Sequence, residues 1–136
     1  MNTTTNKGFT LIEVLVVIGI IAILAAIVIV SINPAKRFQD ANTAQRQANV
    51  EAIMSALQQN IIDNKGTLSC TGLTSTLQDI GTGKLDLTTC LNPYLAIIPT
   101  DPDGGTPADT LYQVSINASN QITVESSKDT TIKIVR

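Results

Sequence analysis

One carboxylate lies inside a long apolar run, where a negative charge is costly unless water, lipid headgroups or a cation stabilises it. Glu13 lies within the stretch Gly8 to Ile32, in which Val14 to Val30 contains no polar side chain. A carboxylate in a membrane-spanning segment costs about 2.5–3.5 kcal/mol on insertion scales. Two interpretations compete: Glu13 is solvated by headgroups at the membrane edge, or it is neutralised by a cation from another subunit.

Two cysteines offer a second kind of chemistry. Cys70 and Cys90 are the only cysteines of the chain, and an even number fits one disulfide. If this region lies outside the cytoplasm, oxidation is expected, and closing a loop of about 20 residues contributes about 3 kcal/mol. The alternative is a pair of buried free thiols. A zinc site is disfavoured, because two cysteines without histidine cannot complete a tetrahedral shell.

The composition gives no support to catalysis. Histidine is absent, so a Ser or Cys nucleophile lacks its commonest base, and the carboxylates other than Glu13 form no recognisable pair. Nine basic and eleven acidic residues give a net charge of -2 without a basic stripe. We therefore predict a protein that is not an enzyme, has no cofactor and has no nucleic-acid partner.

The element that positions Glu13 is a membrane-spanning helix. Phe9 to Ile32 would extend about 36 Å as an α-helix, which exceeds a hydrocarbon core of about 30 Å. Because the run is apolar on all sides, it must lie in lipid or inside a large assembly. The cations Lys36, Arg37 and Arg46 follow the run, and by the positive-inside rule alone they oppose a head outside the cytoplasm.

A second helix is predicted from Pro34 onwards. Pro34 either breaks the helical path or kinks a continuous helix, and the kink is favoured because Ala35 to Asn60 contains no Gly or Pro. Gly66 suits a left-handed helix end. Apolar residues at three- and four-residue spacing form a stripe that can cover a sheet: Val50, Ile53, Met54, Leu57 and Ile61.

The remainder predicts a small antiparallel sheet. A connecting region, Leu68 to Tyr94, contains a helical turn at Thr76 to Ile80, and a turn cluster follows at Pro99 to Gly105. Alternating apolar residues then predict three strands: Thr110 to Asn117, Gln121 to Glu125, and Thr130 to Val135. The predicted class is α+β, with a long N-terminal helix across a sheet of about three strands.

The sequence Lys7-Gly8-Phe9-Thr10-Leu11-Ile12-Glu13 resembles the processing site of type IV pilins and pseudopilins. Their pattern is a short charged leader, Gly, Phe and apolar residues, with Glu fifth after the cut. The resemblance implies that prepilin peptidase removes residues 1–8 by cutting before Phe9, and that the amino group of Phe9 is methylated. An ordinary secretory signal is disfavoured, because the run is long and no Ala-x-Ala site follows it.

This resemblance implies an anchor at residues 9–33, an extracytoplasmic head at 34–136, and a cytoplasmic-membrane location before assembly. Glu13 would pair with the Phe9 amine of a neighbouring subunit in a helical homopolymer, either a type IV pilus or a type II secretion pseudopilus. The implied partners are related minor pilins, the prepilin peptidase and methyltransferase, and the assembly platform of the inner membrane.

The order of helix, connecting region and sheet also resembles the pilin fold, and Pro99-Thr100-Asp101-Pro102 is similar to a segment of major pseudopilins. In those proteins a nearby acidic loop holds calcium, whereas Asp103 here replaces the aromatic residue that usually follows the second Pro. Asp101, Asp103 and Asp109 are the calcium candidates, since hard cations bind clustered oxygens. Acidic turns without metal are the common alternative.

Two other functions remain open at the level of sequence. One is a monomeric, membrane-tethered extracytoplasmic domain that binds a ligand or an ion with the sheet and the acidic loop. The other is a minor or competence pilin in DNA uptake, which the absence of a basic stripe does not favour.

Overall fold

The computed structural model describes residues 8–136, so the predicted leader lies outside the described residues except for Gly8. The chain divides into two compact units, Met1–Gln39 and Asp40–Arg136. The class is α+β, as predicted.

The first unit contains the apolar helix α1 (Leu11–Ile32). Its 22 residues extend about 33 Å, and the mean hydropathy of its most apolar window is 3.3. None of its residues is buried. By length and composition, this helix could cross a membrane.

The helical path is interrupted for one residue after α1. Asn33 adopts the left-handed conformation, with φ 42° and ψ 79°, and α2 (Pro34–Asp63) begins directly after it. The side-chain oxygen of Asn33 accepts a hydrogen bond from the Lys36 amide at 3.3 Å. The helix is therefore not continuous at Asn33, which corrects the favoured interpretation of a kink. Pro34 begins the second helix, as predicted, because its missing N–H costs nothing in the first turn, and Asn33 tolerates the left-handed conformation.

The C-terminal half of α2 supplies one wall of the core in the second unit. Val50, Ile53, Met54 and Leu57 are fully buried, and Ile61 is partly buried against the same cluster, which confirms the predicted stripe. The helix ends at Asp63, and both Lys65 and Gly66 have positive φ. The Gly66 amide donates to the Ile61 carbonyl at 2.8 Å, and this bond closes the helix end.

The opposite wall is a four-stranded antiparallel sheet in the order β1-β2-β3-β4. Its strands are β1 (Gln78–Asp79), β2 (Tyr112–Ile116), β3 (Ile122–Ser126) and β4 (Lys133–Val135). The last three match the predicted strands, and the Asn117–Asn120 turn joins β2 to β3. The helical turn expected at Thr76 to Ile80 is wrong, because this segment pairs with β2 as an edge strand.

The predicted disulfide closes most of the connecting region into a loop. Cys70 and Cys90 are bonded, with their Cα atoms 5.3 Å apart, and Cys90 lies in the short helix α3 (Thr88–Leu91). The buried Asn60 side chain of α2 donates to the Cys90 carbonyl at 3.0 Å and accepts from the Ser69 amide at 2.9 Å. The disulfide therefore closes the loop, and Asn60 hydrogen-bonds both ends of that loop to α2.

Candidate functional site

The predicted cleavage point lies in non-helical residues ahead of α1. Gly8, Phe9 and Thr10 are all exposed, and 89% of the Phe9 surface is accessible. A Cβ atom placed on Gly8 would meet no atom within 4 Å. Nothing in the described part of the chain therefore requires glycine at this position or blocks access to the Gly8–Phe9 peptide bond.

Glu13 is positioned by a reciprocal cap at the start of α1. One carboxylate oxygen, Oε2, accepts hydrogen bonds from the Thr10 amide at 2.7 Å and from the Thr10 hydroxyl at 2.8 Å. The Thr10 hydroxyl in turn accepts from the Glu13 amide at 3.3 Å. The spacing Thr-x-x-Glu is the sequence signal for this capping box.

This arrangement leaves half of the Glu13 carboxylate available. No donor among residues 8–136 bonds to Oε1, although the positive end of the α1 dipole lies beside the carboxylate. The cap stabilises the helix start within one chain. Oε1 can accept a hydrogen bond from a further cation without disturbing that cap.

The rest of α1 offers apolar surface in every direction. Its only other polar side chain, Ser31, donates to the Ile27 carbonyl at 2.9 Å and so satisfies itself within the helix. All large apolar side chains of α1 are more than half exposed. A surface of this kind is stable in lipid or against other apolar helices.

Asp101, the first calcium candidate, is held by Arg46 of α2. Arg46 Nε donates to Oδ2 at 2.7 Å and Nη2 donates to Oδ1 at 3.1 Å, while the Asp103 amide donates to Oδ1 at 2.8 Å. The Asp101 side chain is fully buried, and that of Arg46 is 12% exposed. Burial by itself would raise the pKa of Asp101. The hydrogen bonds from Arg46 and Asp103 and the charges of Arg46 and Lys128 outweigh burial and lower this pKa.

The other two calcium candidates pair with different cations. Asp103 lies 3.8 Å from Arg46 and 3.8 Å from Lys128, whereas Asp109 lies 3.8 Å from Lys84. In the described part of the chain, no group of three or more His, Cys, Asp or Glu side chains could hold a metal ion. The donor set around Asp101 fits a guanidinium rather than calcium, so the structure does not bring the three candidates together as a metal site.

The sequence did not predict the polar contacts that fasten the Pro99–Gly105 segment. The Asn49 amide group donates to the Thr100 carbonyl at 3.1 Å and to the Tyr112 hydroxyl at 2.9 Å. Burial raises the pKa of Tyr112. These partners lie 51 and 63 residues away along the chain, so no local pattern could have revealed them.

Comparison with known protein families gives a match over the N-terminal part of the chain. Residues 4–29 match the family described as the prokaryotic N-terminal methylation motif. This motif is the prepilin signature of type IV pilins and pseudopilins, and it spans Gly8, Phe9 and Glu13. Neither the comparison with curated proteins nor that with solved structures gave a match. The N-terminus is therefore of the prepilin type, as its resemblance implied.

Proposed function

We propose that this chain is a structural subunit of a type IV pilus or a type II secretion pseudopilus. The observation that carries the proposal is the prepilin signature at residues 4–29, whose part from Leu11 onwards lies in a helix that buries none of its own residues. A helix with this surface needs an environment from outside the chain. Lipid supplies it before assembly, and the helices of neighbouring subunits supply it afterwards.

The first proposed step is processing. Prepilin peptidase cuts between Gly8 and Phe9, and methylation then modifies the new amino group of Phe9. The exposure of Gly8 and Phe9, and the open space around Gly8, support access to this bond. Removing residues 1–8 leaves α1 intact, so the subunit stays in the cytoplasmic membrane.

The second proposed step is assembly. Glu13 of one subunit pairs with the Phe9 amine of its neighbour, and Oε1 is the oxygen that its own chain leaves without a donor. The contact joins different surfaces of identical subunits, so it generates an open helical polymer. The Cys70–Cys90 disulfide supports a head outside the cytoplasm, because disulfides persist in oxidising compartments.

The variant Glu13→Leu tests the assembly step. We expect this chain to insert in the membrane and to yield at least about tenfold fewer filaments, since each 1.4 kcal/mol lost at a contact weakens it tenfold. Val14→Leu is the matched control, because it changes the adjacent helical residue without removing a charge. Filament yield is measured by electron microscopy and by shearing.

Normal filament yield from Glu13→Leu would remove the proposed role of this carboxylate. A wild-type chain that stays monomeric alongside the assembly machinery would favour the tethered binding domain instead.

A further inference from the structure

The Lys and Arg residues of this chain differ in whether a carboxylate lies close enough to form an ion pair; those without one are called uncompensated below. Lys7 lies outside the described residues, and the other eight of the nine Lys and Arg residues can be compared. Five have a carboxylate within 4.0 Å: Arg46, Lys84, Lys128, Lys133 and Arg136. Within residues 8–136, Lys36, Arg37 and Lys65 have no such partner.

Two of these three uncompensated cations are consecutive and follow the apolar helix. Lys36 and Arg37 lie in the first turn of α2, and both are exposed. The next residue, Phe38, is 72% exposed. Asp40 is the nearest carboxylate along α2, and it forms no ion pair with either cation in the described chain.

Position along the chain places this segment at the edge of a bilayer. Phe38 lies six residues beyond Ile32, which corresponds to about 9 Å along a helix and to slightly more here because Asn33 is not helical. The headgroup layer on each side of a hydrocarbon core is about 5–8 Å thick, and Lys and Arg side chains reach further along their stems. When α1 spans the core, residues 36–38 therefore lie among headgroups.

We propose that Lys36, Arg37 and Phe38 form an interfacial anchor that binds anionic phospholipid headgroups where the chain leaves the membrane. The two cations pair with lipid phosphates, and the aromatic ring packs at the level of the glycerol groups. This inference rests on the proposed membrane-held state of the subunit. By the positive-inside rule alone, Lys36 and Arg37 oppose a head outside the cytoplasm. Binding to lipid phosphates would explain why these two cations are present on that side.

Charge complementarity is the reason for assigning a lipid surface to this segment. Each basic side chain near an anionic surface favours contact by about fivefold, so the pair favours it by about 30-fold. Lys65 is also uncompensated, but it follows the far end of α2 and has no adjacent apolar span. Lys65 therefore serves as the matched control.

The test uses the full chain in vesicles and a tryptophan introduced by Phe38→Trp, because the chain has no other Trp. Vesicles contain phosphatidylcholine alone or a three-to-one mixture with phosphatidylglycerol, with lipids brominated near the glycerol end as quenchers. We expect stronger quenching in the mixed vesicles, with the excess lost in about 1 M salt. Adding Lys36→Gln and Arg37→Gln should abolish the excess, whereas adding Lys65→Gln should leave it unchanged.

Equal quenching in the two lipid mixtures would overturn the inference, as would an excess that survives loss of both cations. A second probe, Leu24→Trp with quenchers brominated near the methyl end, separates this failure from failure of the proposed function. If the Leu24→Trp probe is quenched in both mixtures, α1 enters the bilayer and only the anchor is refuted. If this probe is not quenched, the membrane-held state fails, and the anchor fails with it.

Discussion

The two units of this chain obtain their stability from different sources. α1 buries none of its 22 residues, whereas the unit from Asp40 to Arg136 has fully buried side chains on both α2 and the sheet. The head therefore supplies its own hydrophobic driving force. The free energy of α1 depends instead on surroundings that its own chain does not supply, either lipid or other apolar helices.

Polar groups follow the same division. In residues 8–136, every buried side-chain nitrogen or oxygen has a hydrogen-bond partner. The buried polar residues Asn49, Asn60 and Asp101 all belong to the second unit. Glu13, by contrast, uses one carboxylate oxygen for its cap and leaves the other without a donor. Glu13 is exposed, so water or another molecule can donate to its second oxygen, whereas the buried polar groups of the second unit depend on partners within the chain.

The largest expected effect is the difference between a Leu→Ala substitution in the core of the second unit and the same substitution in α1. Leu57→Ala should lower the free energy of unfolding of the head by about 4 kcal/mol, because it opens a cavity beside a fully buried site. Leu24→Ala, on exposed α1, should change it by less than about 0.5 kcal/mol. Both are measured by denaturant unfolding of the full chain in detergent, followed by near-ultraviolet circular dichroism. Similar losses in the two variants would refute the division into two sources of stability.

The disulfide should have the next largest effect, again confined to the head. Replacing Cys70 and Cys90 with Ser should cost about 3 kcal/mol, since the bond closes a loop with a sequence separation of 20. Hydrogen exchange should increase between Ser69 and Leu91, and exchange in α1 should stay the same. An unchanged unfolding free energy in the double variant would show that Asn60 and the core hold this segment without the bond.

The smallest of the three effects concerns the buried ion pair. Arg46→Met should cost about 2 kcal/mol at neutral pH, because it leaves the buried Asp101 carboxylate without its cation. Lys84→Met, whose ion pairs are exposed, is the control and should cost less than about 1 kcal/mol.

The pH dependence gives this variant a second readout. The pKa of Asp101 is lowered in the folded chain, so its contribution is present above the unfolded pKa of about 3.9. This contribution is lost as the pH falls through the folded pKa. Wild-type stability should therefore decline below about pH 4, and the decline should be weaker in Arg46→Met. An equal decline in both chains would assign the acid sensitivity to other carboxylates.

Much of the fold could be predicted from the sequence because the deciding interactions are periodic. The apolar run predicted α1, the spacing from Val50 to Ile61 predicted the buried face of α2, and alternation predicted β2, β3 and β4. The Thr-x-x-Glu spacing at Thr10 and Glu13 could also have revealed the capping box, because both partners lie within one helical turn.

The remaining features depend on partners that are distant along the chain or on the conformation of a single residue. β1 has two residues and exists only through pairing with β2, and Arg46 reaches Asp101 across 55 residues. The interruption at Asn33 depends on one left-handed residue, for which the neighbouring Pro34 gave only an ambiguous signal. The environment of the calcium candidate Asp101 likewise depends on a distant partner, because Arg46 of α2 donates to both of its carboxylate oxygens.

Prepilin processing can be tested by the mass of the N-terminus of the chain purified from cells that contain a prepilin peptidase. We expect a chain that begins at Phe9 and carries one N-methyl group. Gly8→Glu is a suitable control, because the open space around Gly8 leaves the fold unaffected while the cleavage motif is lost. An intact Met1 in the wild-type chain would refute processing at Gly8 and, with it, the proposed pilin-type function.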